Sequence, residues 1–317
     1  MGEKRKIYFR ADAGPEIGYG HYIRSLALAD MLKQDFDCTM FTQFPTDYQL
    51  REAELICPVV ALPNDDSKFN IFLNHLTGSE IVVLDNYFYT TDYQRQIKAK
   101  GCKLVCIDDM HDKHYVADMI INHGSVTSAD FDAEPYTRYC LGSNFALLRR
   151  PFLEHNEGKH NKGVYTICFG GSDPYNLTRK YIDLLLQNRQ VRHIYAVVGD
   201  GYQHKDTIVQ YSNVQMLKNQ TAQQMATILL ESEAILCSAS SICMEAMACG
   251  TKVYAGWYVD NQKGGYERAV ANHELLPLGN LLKETYIPDD NILLMRTIYN
   301  KEIINRFINA FKELLMR

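Results

Sequence analysis

Short apolar runs alternate with amphipathic segments through the first half of the chain. Residues 81–85 form a continuous apolar run that ends in an acid, and residues 103–108 repeat this pattern, which is typical of a buried parallel strand. Residues 67–76 carry apolar side chains at helical spacing. The alternation predicts a mostly parallel sheet covered on both faces by helices. Further strands are predicted at residues 6–12, 38–42, 58–62 and 117–121, with a helix after the first strand that reaches residue 34.

A polar stretch divides the pattern into two halves. Residues 155–163 lack hydrophobic periodicity, and we interpret them as an interdomain linker. A second alternation follows, with strands predicted at residues 164–169, 193–198, 234–237 and 252–256. We predict an N-terminal Rossmann-like domain, a C-terminal Rossmann-like domain and a closing segment of one or two helices, at residues 1–154, 163–288 and 289–317 respectively. The apolar positions of the closing segment include Ile292, Ile298, Phe307 and Phe311.

The net charge of the chain argues against nucleic acid and anionic membranes as partners. With 33 Lys and Arg against 38 Asp and Glu, the formal net charge is −5, so there is no broad basic field for nucleic acid or an anionic membrane. No run reaches the roughly 18 apolar residues of a membrane-spanning helix. Residues 1–5 are charged and do not resemble an apolar signal segment. We expect a cytoplasmic monomer that neither inserts into membranes nor binds nucleic acid.

The metal-ligating residue types do not favour a metal site. The nine cysteines include no C-x-x-C pair, and we interpret Cys102, Cys106, Cys237, Cys243 and Cys249 as reduced, buried small apolar residues. A cluster of acids and histidines without zinc-type spacing follows residue 107, and we interpret it as a solvated loop. Its members are Asp108, Asp109, His111, Asp112 and His114.

A glycine-rich turn precedes the first helix. Gly18 and Gly20 allow backbone N–H groups to face a ligand, and the positive end of the helix dipole favours an anion there. The same dipole disfavours protonation of His21, so a neutral imidazole could accept a proton near pH 7. Because the carboxyl ends of parallel strands share one edge of a sheet, Asp85, Asn86 and Tyr87 are candidate partners of His21. The alternative for Asp85 is a capping or solvated acid.

The second half repeats the sequence of apolar strand, glycine turn and helix. Gly170 and Gly171 follow one strand, and Ser238–Ser241 leads from another strand into a helix. A serine N-cap with the first helical N–H groups would bind a diphosphate. Glu245 lies one turn further, within reach of a diol, and residues 258–262 are predicted to form a loop. Neither glycine turn matches G-x-G-x-x-G, so a dinucleotide cofactor has little support, and no cofactor is expected.

Taken together, these blocks resemble the PseG family of nucleotide-sugar hydrolases and the related spore-coat polysaccharide proteins, and more distantly MurG-type glycosyltransferases. They follow the order of that family. The residues that carry the resemblance are Arg10, Ala11, Asp12, Ile17–His21, Arg24, Asp85–Tyr87, Asp108, Asp109, Asn122, Gly142, Ala146–Arg149, Phe152, Phe169–Asp173, Asn176, Ser238–Ser241, Glu245, Asn261 and Gln262.

The resemblance implies a GT-B fold, in which two Rossmann-like parallel-sheet domains face a central cleft. It implies a metal-independent, inverting hydrolase of pseudaminic acid biosynthesis that releases UDP from UDP-2,4-diacetamido-2,4,6-trideoxy-β-L-altropyranose. His21 would act as the general base for attack of water at the anomeric carbon, with Tyr87 placing the water and Asp85 supporting the cluster. The substrate-binding residues that it implies are Gly18, Tyr19, Gly20, Arg24, Asn86, Arg149, Gly170, Gly171, Ser172, Asp173, Asn176, Ser238, Ser240, Ser241, Glu245, Asn261 and Gln262.

Three alternatives stay open, because a fold does not fix a function. The first is a GT-B glycosyltransferase that uses a UDP-sugar donor. The second is a non-hydrolysing UDP-sugar 2-epimerase. The third is a nucleotide-sugar sensor that binds UDP without turnover. Incubation of a UDP-sugar with protein and water alone separates the hydrolase from the others, because only the hydrolase releases UDP and free sugar.

Overall fold

The structure, a computed structural model, describes residues 4–14, 17–124, 126–156, 158–188, 190–207, 211–289, 293–295 and 299–316. The chain forms two compact units. The first consists of Met1–Arg150 with Lys301–Arg317, and the second of Pro151–Asn300. Ile292 and Ile298 of the predicted closing segment lie outside the described residues. The domain limits inferred from the sequence remain predictions.

Parallel strands form the main sheet of the first unit, in the order β3-β2-β1-β4-β5-β7-β9. The strands are β1 (Lys6–Arg10), β2 (Asp37–Gln43), β3 (Val59–Leu62), β4 (Ile81–Leu84), β5 (Lys103–Ile107), β6 (His114–Tyr115), β7 (Met119–Asn122), β8 (Asp132–Ala133) and β9 (Arg138–Leu141). Strands β6 and β8 form a separate short pair. All four residues of β4 are buried, as its continuous apolar run predicts.

Helices connect the strands of this sheet. They are α1 (Gly20–Leu32), α2 (Asp47–Ala53), α3 (Ser67–His75) and α4 (Thr91–Ala99). Two of them start at threonine caps. The Thr46 hydroxyl accepts a hydrogen bond from the Gln49 N–H in a capping box, and Thr90 accepts one from the Tyr93 N–H.

The second unit has its own parallel sheet, in the order β12-β11-β10-β13-β14-β15. The strands are β10 (Asn161–Cys168), β11 (His193–Val198), β12 (Val214–Lys218), β13 (Ser232–Ser238), β14 (Lys252–Trp257) and β15 (Leu276–Asn280). The helices are α5 (Leu177–Asn188), α6 (Ala222–Glu231), α7 (Ser241–Ala248) and α8 (Asp260–Ala271). Two parallel sheets with helical connections confirm the predicted α/β class.

The last helix, α9 (Glu302–Leu314), belongs to the first unit. Its apolar face is buried against α1 and the neighbouring short helix Ser143–Phe145. The Phe311 ring lies 6.2 Å from that of Phe36, and the Phe307 ring lies 5.4 Å from that of Phe145. The chain therefore returns to its first sheet at the end, on the helix that carries His21.

Two local predictions are wrong. Residues 258–262 are not all loop, because α8 begins at Asp260; the two glycines Gly264 and Gly265 inside this helix obscured its periodicity in the sequence. Part of the predicted linker is strand, because β10 begins at Asn161, which pairs with Ser232 of β13. Its polar side chains are exposed at the end of the sheet, so the hydrophobic pattern did not reveal the strand.

None of the helices formed by the described residues combines the length and the apolar character that a bilayer-spanning helix needs.

Candidate active site

In the first unit, the carboxyl ends of β1 and β4 lie side by side at the point where the strand order reverses. Open parallel sheets bind their ligands at such a point. After β1, Gly14 and Gly18 exchange backbone hydrogen bonds of 3.3 and 2.8 Å. Gly18 has a φ of +82°, which favours glycine. His21 lies in the first turn of α1, opposite the end of β4.

His21 contacts the acid that follows β4. Its Nδ1 lies 2.7 Å from Asp85 Oδ1, and the Asp85 side chain is completely buried. A carboxylate only accepts hydrogen bonds, so Nδ1 carries the proton. In the neutral ring, Nε2 then holds the lone pair and can accept a proton from another molecule. This is the geometry in which a carboxylate orients a histidine base.

The same carboxylate also binds Arg24, one turn further along α1. Arg24 donates to both oxygens of Asp85 at 2.6 and 2.7 Å and to Asp109 Oδ2 at 2.5 Å. The Ser25 hydroxyl donates to Asp85 Oδ2 at 3.1 Å. Burial raises the pKa of Asp85, but Arg24 and then His21 outweigh burial and hold its pKa below the ordinary value. Asp85 is therefore an ionised carboxylate near neutral pH.

Tyr87 completes the cluster. Its ring lies edge-on to the His21 ring, with centroids 4.6 Å apart, and its hydroxyl donates to Asp109 Oδ2 at 3.4 Å. Burial, followed by the Asp109 charge, raises the pKa of Tyr87 to about 12. The phenol is therefore protonated near pH 7 and can donate or accept a hydrogen bond, but it is not a base.

The sequence prediction missed His123, which belongs to the same cluster. It follows the last residue of β7, and its Nδ1 accepts a hydrogen bond from the Leu147 N–H at 3.5 Å. Burial lowers the pKa of His123 to about 4, although the charge of Asp109 opposes that shift. The ring is neutral near pH 7. Its position after a buried strand was the available signal in the sequence.

The expectation that residues 108–114 form a solvated loop is wrong for its first two acids. Asp108 is buried, and its Oδ1 accepts the N–H groups of Met110 and His111 at 2.9 and 2.8 Å. Asp109 is bound by Arg24, and its pKa is lowered to about 2 because the charge of Arg24 outweighs the effect of burial. Among the described residues, no group of three or more His, Cys, Asp or Glu is placed to hold a metal ion.

Three predicted substrate ligands of this unit also make contacts within the protein. The Asn86 side chain accepts from the Asp12 N–H at 2.7 Å and donates to the Asp12 carbonyl at 3.2 Å, so it ties the ends of β1 and β4 together. Arg149 lies 3.6 Å from Glu52. Tyr19 precedes α1, and its ring packs edge-on against Tyr48.

In the second unit, the predicted glycine turn packs against a second one. The turn Gly170–Ser172 is exposed, and Gly170 has a φ of +96°. The Gly199 N–H donates to the Gly171 carbonyl at 3.0 Å. A Cβ on Gly199 would lie only 2.6 Å from Gly171 Cα, so this close approach requires glycine.

Asp173 and Asn176 follow this turn and make hydrogen bonds within the protein. The buried Asp173 carboxylate accepts the Leu177 and Thr178 N–H groups at 2.8 and 2.7 Å, and so caps α5. Asn176 accepts a hydrogen bond from the Tyr202 hydroxyl at 2.7 Å. These N–H groups at the start of α5 are therefore already bound by a carboxylate of the protein.

The start of α7 differs from that of α5. Ser240 is the N-cap residue but makes no side-chain cap hydrogen bond to the helix; its hydroxyl donates to the Ser238 carbonyl at 3.4 Å. Ser240 and Ser241 are exposed, whereas Ser238 is buried. Glu245, one turn into α7, is buried with 5% of its surface exposed. A serine thus stands at the N-cap as predicted, although its hydroxyl does not cap the helix, and Ser240 and Ser241 are exposed at the sheet edge.

Asn261 and Gln262 lie in the first turn of α8. Gln262 Oε1 accepts the Tyr258 N–H at 3.2 Å, and Asn261 is exposed. The Tyr258 hydroxyl donates to the Phe169 carbonyl at 3.5 Å and lies beside Gly170. The turn after β10, the serines after β13 and the start of α8 thus occupy the carboxyl edge of one sheet, next to the reversal of strand order between β10 and β13.

In sequence, the chain is similar to a nucleotide-sugar hydrolase. The chain is 27% identical over 277 residues to the UDP-2,4-diacetamido-2,4,6-trideoxy-beta-L-altropyranose hydrolase of Campylobacter jejuni, and the match covers 83% of this chain and 98% of that enzyme. The sequence similarity to this hydrolase extends over most of the chain. The chain is also 26% identical over 305 residues to an uncharacterized protein of Methanocaldococcus jannaschii. That match covers 90% of this chain but spans only 62% of the length of the relative.

No family model matches the chain. Solved structures with the GT-B fold match nearly all of this chain. MurG of Acinetobacter baumannii has a TM-score of 0.57 at 13% identity, covering 98% of this chain and 91% of MurG. The putative UDP-N-acetylglucosamine 2-epimerase of Listeria monocytogenes has a TM-score of 0.59 at 11% identity, covering 100% and 89%. Arabidopsis thaliana UGT89C1 complexed with UDP has a TM-score of 0.61 at 10% identity, covering 99% and 93%. At these identities the likeness establishes the fold and confirms the predicted GT-B class.

Proposed function

We propose that the chain hydrolyses a UDP-sugar, with His21 as the general base. The observation that carries the proposal is the 2.7 Å contact between His21 Nδ1 and Asp85 Oδ1 at the reversal of strand order. The similarity to the Campylobacter jejuni hydrolase supports a substrate of the same kind, UDP-2,4-diacetamido-2,4,6-trideoxy-β-L-altropyranose. A role in pseudaminic acid biosynthesis belongs to the same proposal.

The chemistry follows from the protonation states of the cluster. Nε2 of His21 removes a proton from water as the water oxygen attacks the anomeric carbon from the face opposite UDP, so the configuration inverts. The bond between that carbon and the diphosphate oxygen breaks, and UDP takes the electron pair. Asp85 stabilises the imidazolium that forms. The Tyr87 hydroxyl is proposed to orient the water, because its ring lies against that of His21.

The second unit is proposed to bind UDP. The exposed turn at Gly170–Ser172 and the exposed hydroxyls of Ser240 and Ser241 would hold the diphosphate, and Glu245 would bind the ribose. Asn261, at the start of α8, would approach the diphosphate or the sugar. UDP is a good leaving group, so these donors would stabilise the developing charge without a metal ion or a strong acid.

Hydrolysis in ¹⁸O-labelled water tests this function. A small panel of UDP-sugars is incubated with the protein alone, with and without EDTA, and the products are analysed by mass spectrometry. The proposal expects UDP without the label, free sugar carrying one ¹⁸O atom, and an unchanged rate in EDTA. Label in UDP would contradict cleavage at the anomeric carbon. A UDP-sugar of altered stereochemistry would indicate the epimerase, and UDP release only after an acceptor is added would indicate the glycosyltransferase.

A further inference from the structure

Arg24 is engaged on the protein side of the His21 cluster. Its Nε and Nη2 bind the two oxygens of Asp85, and its Nη1 binds Asp109. Only 11% of its side chain is exposed. This two-point contact fixes the plane of the Asp85 carboxylate, since a forked guanidinium matches both oxygens at once. An arginine held in this way is oriented towards carboxylates of the protein, although the sequence analysis expected it to bind substrate.

The fixed carboxylate in turn fixes the histidine. Asp85 Oδ1 is shared between Arg24 Nη2 and His21 Nδ1, at 2.6 and 2.7 Å. Asp85 Oδ2 is held by Arg24 Nε and by the Ser25 hydroxyl. Without Arg24, a buried carboxylate would lose its counter-charge and its fixed orientation, and the His21 ring would lose the fixed acceptor that defines which nitrogen is protonated.

The charges around His21 are nearly balanced. Two carboxylates and one guanidinium face the ring, so a protonated His21 makes the cluster neutral. Tyr87 and His123 are uncharged near pH 7. In the described part of the chain, the titratable or charged groups of this cluster are Arg24 on the helix of His21, Asp85 and Tyr87 after β4, Asp109 after β5 and His123 after β7.

We infer that Arg24, supported by Asp109, is a positioning residue of the hydrolase, which holds Asp85 against His21 and sets the pH range in which His21 is an effective base. This inference rests on the proposed function and extends it. Arg24 is not a ligand of the sugar nucleotide in this account.

Kinetics of Arg24→Gln and Arg24→Lys test the positioning role. Loss of the two-point contact with Asp85 in Arg24→Gln is expected to lower kcat by about 10²–10³. It is expected to change KM and the UDP dissociation constant by no more than about twofold. Arg24→Lys keeps the charge but not the two-point contact, so its kcat should fall between those of Arg24→Gln and the wild type. A KM raised about tenfold or more with an unchanged kcat would show instead that Arg24 binds the substrate.

The pH dependence gives a second test with opposite signs. Arg24→Gln leaves two carboxylates facing His21, so the acid limb of the kcat profile should move to higher pH. Asp109→Asn removes a negative charge, so the same limb should move to lower pH. Arg95→Gln is the matched control, because Arg95 binds Asp92 at 2.8 Å in an exposed pair on α4, and its profile should equal that of the wild type. If the acid limbs of Arg24→Gln and Asp109→Asn moved in the same direction, or if neither moved, the inference would be overturned.

A readout without turnover separates this inference from the proposed function. In protein labelled with ¹⁵N-histidine, the His21 ring signals are assigned by their loss in His21→Gln. The proton titration of that ring should move to higher pH in Arg24→Gln and to lower pH in Asp109→Asn, even if no UDP-sugar is hydrolysed. If these shifts occur but the wild type hydrolyses no UDP-sugar, only the proposed function is rejected. If the ring titrations are unchanged in both variants, the positioning role is rejected.

Discussion

At the scale of single residues, the candidate chemistry depends on one buried carboxylate that a histidine and an arginine share. Asp85 accepts from His21, Arg24 and Ser25, and each contact comes from the first two turns of α1. The sequence predicted His21 and Asp85 as partners because each follows an apolar strand. It could not predict the contact of Arg24 with Asp109, which depends on β5 lying next to β4 in the sheet.

Acid should weaken the first unit through these carboxylates. The pKa of Asp109 is about 2 in the folded chain, whereas an unfolded aspartate has a pKa of about 3.9. The unfolded state therefore binds more protons between these values, so stability is fully present above about pH 4 and is lost as pH falls towards about 2. Asp85, whose pKa is also lowered, acts in the same direction.

Thermal unfolding measures this effect between about pH 5, roughly one unit above the unfolded pKa, and about pH 2, the folded pKa. The melting temperature of the wild type should fall steeply on the acid side of this range. The melting temperature of Asp109→Asn should be lower than that of the wild type near neutral pH. It should also fall less steeply with acid, because one of the titrating groups is gone. An equally steep fall in Asp109→Asn would show that other carboxyls govern acid stability.

At the scale of elements, two glycine turns hold the predicted diphosphate site by mutual contact. A Cβ on Gly199 would lie 2.6 Å from Gly171 Cα and 2.7 Å from its carbonyl oxygen, both backbone atoms. Gly199→Ala should therefore displace the Gly170–Ser172 turn, cost about 1–3 kcal/mol of stability and weaken UDP binding. Calorimetry with UDP and denaturant unfolding measure the two effects.

The control for this change is Gly265→Ala, since a Cβ on Gly265 would meet nothing within 4 Å. Alanine is also the better helix former inside α8, so this variant should be at least as stable as the wild type. If Gly199→Ala bound UDP as well as Gly265→Ala does, the turn at Gly170–Ser172 would not form the diphosphate site.

The closing helix should stabilise the unit that carries His21. Phe311 is fully buried and packs near Phe36, which lies between α1 and β2. Phe311→Ala should lower the free energy of unfolding of this unit by about 3–5 kcal/mol, the usual cost of removing a buried phenylalanine. Denaturant unfolding measures it, with the more exposed Leu315→Ala as the control. Equal and small losses in both variants would contradict the packing of α9 on this unit.

At the scale of the whole molecule, periodicity predicted two parallel sheets because most central strands are continuous apolar runs. The strands it did not predict lack that feature. Strand β12 is largely exposed, and β15 contains a proline and a glycine. Helix α8 was missed because it carries two adjacent glycines. Residues 155–160 are mostly polar in sequence, so the pattern did not reveal that the His160 N–H binds the Leu230 carbonyl. The core pattern therefore predicts the fold, while edges and connections depend on tertiary contacts.

The central claim assigns two tasks to two units, proton removal by His21 in the first and nucleotide binding in the second. The most direct measurement is made on His21→Gln, by comparing single-turnover hydrolysis of the UDP-sugar with calorimetric UDP binding. In His21→Gln we expect turnover to fall by about 10²–10⁴, while the UDP dissociation constant stays within about twofold of the wild type. Undiminished turnover in His21→Gln, or loss of UDP binding in parallel with turnover, would contradict it.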